Sequence, residues 1–174
     1  MIGYEVFVEN NGINNSYINN DVKNDDNIIF EDTNSKIILK SNVLDVHTYL
    51  YLREQVGWRK LSNNQATTAI KNSLYTLVAY VNNKPVGMGR IVGDGAVICY
   101  IQDLIVIPDM HGQKIGSAII TNLIEYVKSI TEDGTTMMLD LMSAVSRDTF
   151  YEKFGFISRP TDTLGPGMIQ YITK

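Results

Sequence analysis

The residues best placed to do chemistry lie in one loop, His111-Gly-Gln-Lys-Ile-Gly116. Where such a loop opens a helix, the first-turn backbone N–H groups have no intrahelical partner and converge on one spot. The helix dipole adds partial positive charge there, so the spot suits a phosphate or pyrophosphate. Two familiar phosphate cradles are excluded. The loop contains neither Gly-x-x-x-x-Gly-Lys-Ser/Thr nor Gly-x-Gly-x-x-Gly.

The flanking elements follow from hydrophobic spacing. Tyr100-Ile-Gln-Asp-Leu-Ile-Val-Ile107 is a dense, β-branched run that reads as a buried strand, and Pro108 stops it. After the loop, Ile115, Ile119, Leu123, Tyr126 and Ile130 recur at helical spacing. Upstream, Ile37–Leu39 reads as a strand. Asn42 and Asp45 can start a helix carrying Val43, Val46 and Leu50 on one face to about Val56. Ser62-Asn-Asn-Gln65 has the capping-box form and opens a helix to about Lys71. Leu74–Val81 and Val86–Val92 read as paired strands joined at Asn82-Asn-Lys-Pro85, and Gly93-Asp-Gly95 turns into a long strand, Ala96–Ile107. A strand at Thr136–Leu141, a helix at Arg147–Phe154 and short strands near Phe156 and Met168–Ile172 complete the order.

Three segments together resemble the GCN5-related N-acetyltransferase (GNAT) superfamily. The loop compares with Gln/Arg-x-x-Gly-x-Gly/Ala: Gly116 matches, while His111 and Lys114 stand where the pattern has Gln/Arg and Gly. Val86-Gly-Met-Gly-Arg-Ile-Val-Gly-Asp-Gly95 resembles the strand before the cofactor strand, and Phe150-Tyr-Glu-Lys-Phe-Gly-Phe156 the Phe-Tyr-x-x-x-Gly-Phe motif. The likeness covers roughly residues 36–174. It implies a mixed α/β fold whose central, mostly antiparallel twisted sheet is splayed at the cofactor strand and flanked by helices. It also implies acetyl-CoA as cosubstrate and direct transfer of the acetyl group to a primary amine, a small molecule in our reading. A protein lysine or N-terminus, or an acyl-CoA sensor without chemistry, are the alternatives.

The resemblance assigns roles to residues. Freed backbone N–H groups of Leu104 and Val106, with Ile105 between them, would face the pantetheine and the oxyanion. His111, Gly112, Gln113, Lys114, Ile115, Gly116 and Ser117 would surround the pyrophosphate. Lys114 needs a negative φ or carries strain; its ammonium is either a phosphate contact or simply solvated. Tyr151 would protonate the departing thiolate, as a phenol can. Polyamine acetyltransferases have Glu-Asp where this chain has Gln102-Asp103, so the base is open: Asp103 either orients the amine or satisfies donors at a strand bulge. Ala144 replaces a family Asn, whose contact Ser143 or Ser146 could supply. Trp58 is either core or an aromatic wall for the acceptor.

Composition sets the bounds. At 174 residues, with 44% hydrophobic and 20% charged residues, the chain fits one globular domain. A net charge of −4 argues against nucleic acid or an anionic membrane as partner. No apolar run approaches a membrane span, and the N-terminus lacks a signal pattern. Cys99 is the single cysteine, which excludes an intrachain disulfide and suits a reducing cytoplasm; mid-strand, it reads as an inert thiol. The acids and two histidines have no metal-ligand spacing. A homodimer is compatible with all of this. Residues 1–35, rich in Asn and Asp, read as an extension, flexible or a surface hairpin, ahead of a domain at 36–174.

Overall fold

The structure, a computed structural model, describes residues 27–32 and 35–172. Most of the proposed extension, 1–26, lies outside the described residues. The element order is β1 (Asn27–Asp32), β2 (Ser35–Ser41), α1 (Val46–Gln55), α2 (Asn63–Lys71), β3 (Tyr75–Val81), β4 (Lys84–Gly93), β5 (Ile98–Val106), a 3₁₀ turn at Pro108–Met110, α3 (Ile115–Ile130), β6 (Met138–Asp140) and α4 (Asp148–Glu152). Among the described residues the sheet has six strands in sequence order. Every pairing is antiparallel except β5 with β6. A mixed sheet with helices on both faces is the expected class.

Local signals explain most boundaries. Asn82 and Asn83 close the β3–β4 turn with φ of 51° and 60°, a left-handed pair that Asn tolerates better than most residues. Ser62 and Gln65 cap α2 reciprocally. Helix α1 starts later than Asn42 suggested, because Asp45 is its cap and accepts from the Thr48 N–H at 2.8 Å. Asn42 instead takes a φ of 55°, and its amide oxygen accepts from the Thr76 N–H. The helix therefore buries Tyr49 and Leu52, whereas the expected face member Val43 is exposed. The short strands expected near Phe156 and at Met168–Ile172 do not form. Gly165-Pro-Gly167 interrupts this stretch, and Met168, Ile169, Tyr171 and Ile172 point largely into solvent.

Two cores sandwich the sheet. On one face α3 buries Ile115, Ile119, Ile120, Leu123 and Val127 against β3, β4 and β5. Burying five such side chains contributes on the order of 1.5–3 kcal/mol each. A Cβ on Gly89 would lie 2.7 Å from Leu123 Cδ1 and 2.9 Å from Ile119 Cγ2, so that glycine lets the helix approach. On the other face Leu44, Tyr49, Leu52 and Ala66 pack on Val78, Met88 and Ile105.

Candidate active site

The site begins at an irregularity in β5. Gln102 pairs with Arg90 and Ile105 with Met88, so Asp103 and Leu104 together oppose Gly89. Asp103 absorbs the extra residue with a φ of 58°, a conformation that Asp tolerates because its short side chain can bond locally. The insertion exchanges the faces of the strand. Before it, Cys99 and Ile101 face the α3 core; after it, Ile105 joins the opposite core while Leu104 and Val106 turn toward α3.

Past the bulge the strand has one bare edge. β6 reaches β5 only from Ile98 to Tyr100. The Ile107 N–H donates to the Val86 carbonyl on β4 at 2.9 Å. Strand alternation therefore aims the Val106 and Leu104 N–H groups the other way, into the gap between the strands. A cleft of about 510 Å³ fills that gap. Leu104, Ile105 and Val106 form its strand wall, and Val56 and Trp58 its rim toward α1. Ala144, Arg147, Phe150 and Tyr151 stand opposite.

Its other end is the start of α3. Gly112 has a φ of 81° and Lys114, the helix cap, a φ of 58°. Of the two expectations for Lys114, a negative φ or strain, the structure shows the second: a non-glycine residue in the left-handed conformation where the family pattern has Gly. The first helical backbone bond runs from the Ala118 N–H to the Lys114 carbonyl, leaving the N–H groups of Ile115, Gly116 and Ser117 at the open end. A Cβ at Gly112 would meet nothing within 4 Å, and one at Gly116 only Phe150 and Val106 at ordinary contact distance. Open space, bare donors and the Lys114 ammonium together fit a pyrophosphate.

Of the expected cofactor residues, Leu104, Ile105, Val106, His111, Gly112, Lys114, Ile115, Gly116 and Ser117 line the cleft. Gln113 and Ser143 are not part of the lining: the Gln113 amide lies 3.7 Å from the Met110 sulfur, and Ser143 is exposed. The His111 ring is held 2.9 Å from the Val106 carbonyl. Tyr151 is on the lining, its ring edge-on to Phe150 and Phe156. Burial raises its hydroxyl pKa, with Arg147 pulling the other way and Tyr100 adding to the rise. Arg147 is the lining residue that motif reasoning missed, because an exposed arginine ahead of a short helix has no sequence signature.

Asp103 lies behind the cleft wall. Its side chain is 1% exposed and accepts four hydrogen bonds. Oδ1 takes Arg53 Nη1 at 2.7 Å and Gln102 Nε2 at 3.1 Å; Oδ2 takes Tyr49 Oη at 2.6 Å and Arg90 Nε at 2.8 Å. All the lone-pair positions of a carboxylate are then occupied. Burial, with the Asp103 charge and hydrogen bond, pushes the Tyr49 hydroxyl up to about 12. Arg53 also lies 5.1 Å from the Trp58 ring centroid, so the hub reaches the cleft rim through one stacked pair. Asp94 in the Gly-Asp-Gly turn is a turn former: its Oδ1 accepts from the Ala96, Val97 and Ile98 N–H groups.

A splayed parallel pair beside a helix N-terminus, with a bulge upstream, defines an acetyltransferase-type cofactor fork. The profile of the GNAT acetyltransferase domain matches residues 72–158, half of the chain. The chain is 31% identical to an uncharacterized N-acetyltransferase, ycf52, of Pyropia yezoensis, over 95% of this chain and 97% of that one. The structure of a probable acetyltransferase from Staphylococcus aureus superposes with a TM-score of 0.68 at 29% identity, covering 78% of this chain and 99% of the other. An aminoglycoside N-acetyltransferase solved in complex with CoA shares the fold with a TM-score of 0.58 at 10% identity, covering 83% and 99%. The protein belongs to the GNAT family and is an acetyltransferase.

Proposed function

We propose that the protein transfers the acetyl group of acetyl-CoA directly to the primary amine of a small molecule. The observation that carries this reading is the continuous cleft running from the bare α3 donors past Leu104 and Val106 to Tyr151. Bound acetyl-CoA supplies the activated acyl carbon. The chain supplies the rest. Ile115, Gly116 and Ser117 N–H groups and the Lys114 ammonium bind the pyrophosphate. The strand N–H groups of Leu104 and Val106 hold the pantetheine and neutralise charge on the carbonyl oxygen, a contribution of several kcal/mol in comparable sites. Tyr151, kept protonated by burial, gives its proton to the departing thiolate. Asp103 positions rather than reacts: its bonds fix the bulge that bares those N–H groups. The geometry suits direct transfer, since Cys99 is buried in the α3 core.

Gly116→Asp tests the cofactor site. The variant adds a carboxylate at the helix start, and acetyl-CoA affinity should fall at least about tenfold, about 1.4 kcal/mol, with the fold intact. Wild-type affinity by calorimetry in a folded variant refutes the site. Binding of acetyl-CoA without thiol release across amines and peptides refutes transfer and leaves a sensor.

A further inference from the structure

Trp58 is the chain's single tryptophan, and it stands exposed on the rim of the cleft. Its place is set twice by Arg53. Past the end of α1 the Gly57 N–H donates to the Glu54 carbonyl at 3.0 Å and the Trp58 N–H to the Arg53 carbonyl at 3.1 Å. Gly57 permits this with a φ of 68°, a Schellman closure that fixes the Trp58 backbone against the last turn. The Arg53 side chain then fixes the ring. Nη1 donates to Asp103 Oδ1 at 2.7 Å and Nη2 to the Arg59 carbonyl at 3.3 Å, while Cζ lies 5.1 Å from the Trp58 ring centroid. The carboxylate in the β5 bulge therefore holds, through one guanidinium, an aromatic surface at the cleft rim.

What that surface can receive follows from charge. The cleft lining holds Lys114 and Arg147 and, among the described residues, no aspartate or glutamate. Asp103, behind the wall, has every lone-pair position occupied. The Trp58 ring, whose quadrupole could attract an ammonium, already carries the Arg53 cation. Arg59 beside it lies 4.7 Å from the Tyr171 ring centroid. Like charges disfavour the charged form of a neighbouring group, so this setting favours the free base of an incoming amine, which is the form that attacks. An acceptor with one amine loses its only charge in this way. A polyamine or aminoglycoside keeps its remote ammonium groups, and these meet cations with no counter-ion.

We propose that Trp58 receives the uncharged, apolar body of a monoamine acceptor, and that Arg53 is the residue that positions the ring for it. This assignment rests on the transfer reading above and narrows its acceptor to apolar monoamines. Val56, next to Trp58 on the rim, extends the apolar surface. Arg53 acts only through Trp58 and touches no reactant.

The test uses the full chain with acetyl-CoA and four probe amines: hexylamine, phenethylamine, spermidine, and β-alanine, whose body is anionic. In wild type, kcat/KM should be highest for hexylamine and phenethylamine. Trp58→Ala should raise their KM about tenfold or more at unchanged acetyl-CoA affinity, and Trp58→Phe should restore most of the loss. Trp58→Glu should reverse the preference and admit spermidine. Arg53→Lys keeps a charge beside Asp103 but loses the planar stack and the forked donor, so it should raise the same KM and change the emission of Trp58. That emission also reads occupancy without turnover. Hexylamine added to wild type holding CoA should shift it saturably, whereas spermidine or β-alanine at equal concentration should not. An unchanged hexylamine KM in folded Trp58→Ala overturns the proposal. So does a wild type that prefers spermidine, or one that prefers β-alanine, which would give the acceptor to Arg147. Wild-type KM and emission in Arg53→Lys overturn the positioning role. If wild type binds acetyl-CoA yet acetylates none of the amines, the transfer reading fails in its own right, and the emission shift with hexylamine alone then decides the Trp58 site.

Discussion

Replacing Asp103 should cost the protein more stability than any exposed-charge change, and the size of the loss follows from its surroundings. The carboxylate is 1% exposed between Arg53, 13% exposed, and Arg90, 7% exposed. Breaking a buried pair typically costs about 3–5 kcal/mol, because the partner's charge is left uncompensated. Arg53 retains some solvent, which places Asp103→Asn near the lower end, about 3 kcal/mol. For a domain of this size each kcal/mol moves Tm by roughly 2–4 °C, so the drop should be about 6–12 °C. Asn keeps the tolerance for φ of 58°; Asp103→Ala does not, and should lose roughly 1–2 kcal/mol more. Added salt should recover little, since buried charges are weakly screened. Thermal and urea unfolding of both variants measure this, with KM for amine and acetyl-CoA taken on the folded fraction. A Tm within 2 °C of wild type (roughly half a kcal/mol), with KM raised for the amine alone, refutes the hub and returns Asp103 to the acceptor site.

Tyr151→Phe keeps the ring and its edge contacts but deletes the proton, so kcat should drop by about tenfold or more at unchanged acetyl-CoA affinity; normal turnover would assign the thiolate's proton to another group. The Tyr49 hydroxyl titrates near 10 unfolded and at about 12 folded, so its contribution is complete below pH 10 and lost as pH rises through 12. At about 1.36 kcal/mol per unit, wild type should lose up to roughly 2.7 kcal/mol across that window relative to Tyr49→Phe. Parallel stability–pH curves for the two proteins would contradict this.

Much of the fold was legible because its signals are local. The Ser62 capping box, the Asn82-Asn83 turn and the α3 periodicity each depend on residues a few positions apart. The α1 phase was misjudged because Asn42 and Asp45 are both credible caps, and only the Thr76 N–H, brought alongside by the sheet, decides between them. The phosphate loop was readable from three spaced segments, and the family Gly position already posed the choice at Lys114 between a negative φ and strain, which only the backbone decides. The Asp103 hub was hidden for a different reason. Its partners Tyr49, Arg53 and Arg90 come from two other elements, and each alone looks like an ordinary surface or margin residue.

The face exchange in β5 bears on how this sequence can change. Its burial alternates without interruption from Ile98 to Val106, yet odd-numbered residues serve one core before Asp103 and the other after it. The strand behaves like a sentence with a reading-frame shift in the middle. Substitutions on either side are local edits, whereas a deletion at Asp103 would leave one residue opposite Gly89 and Ile105 still opposite Met88, erasing the irregularity that turns the strand edge toward the cofactor. Length at this point is therefore constrained more tightly than residue type, and relatives can vary the words of β5 while keeping the position of its shift.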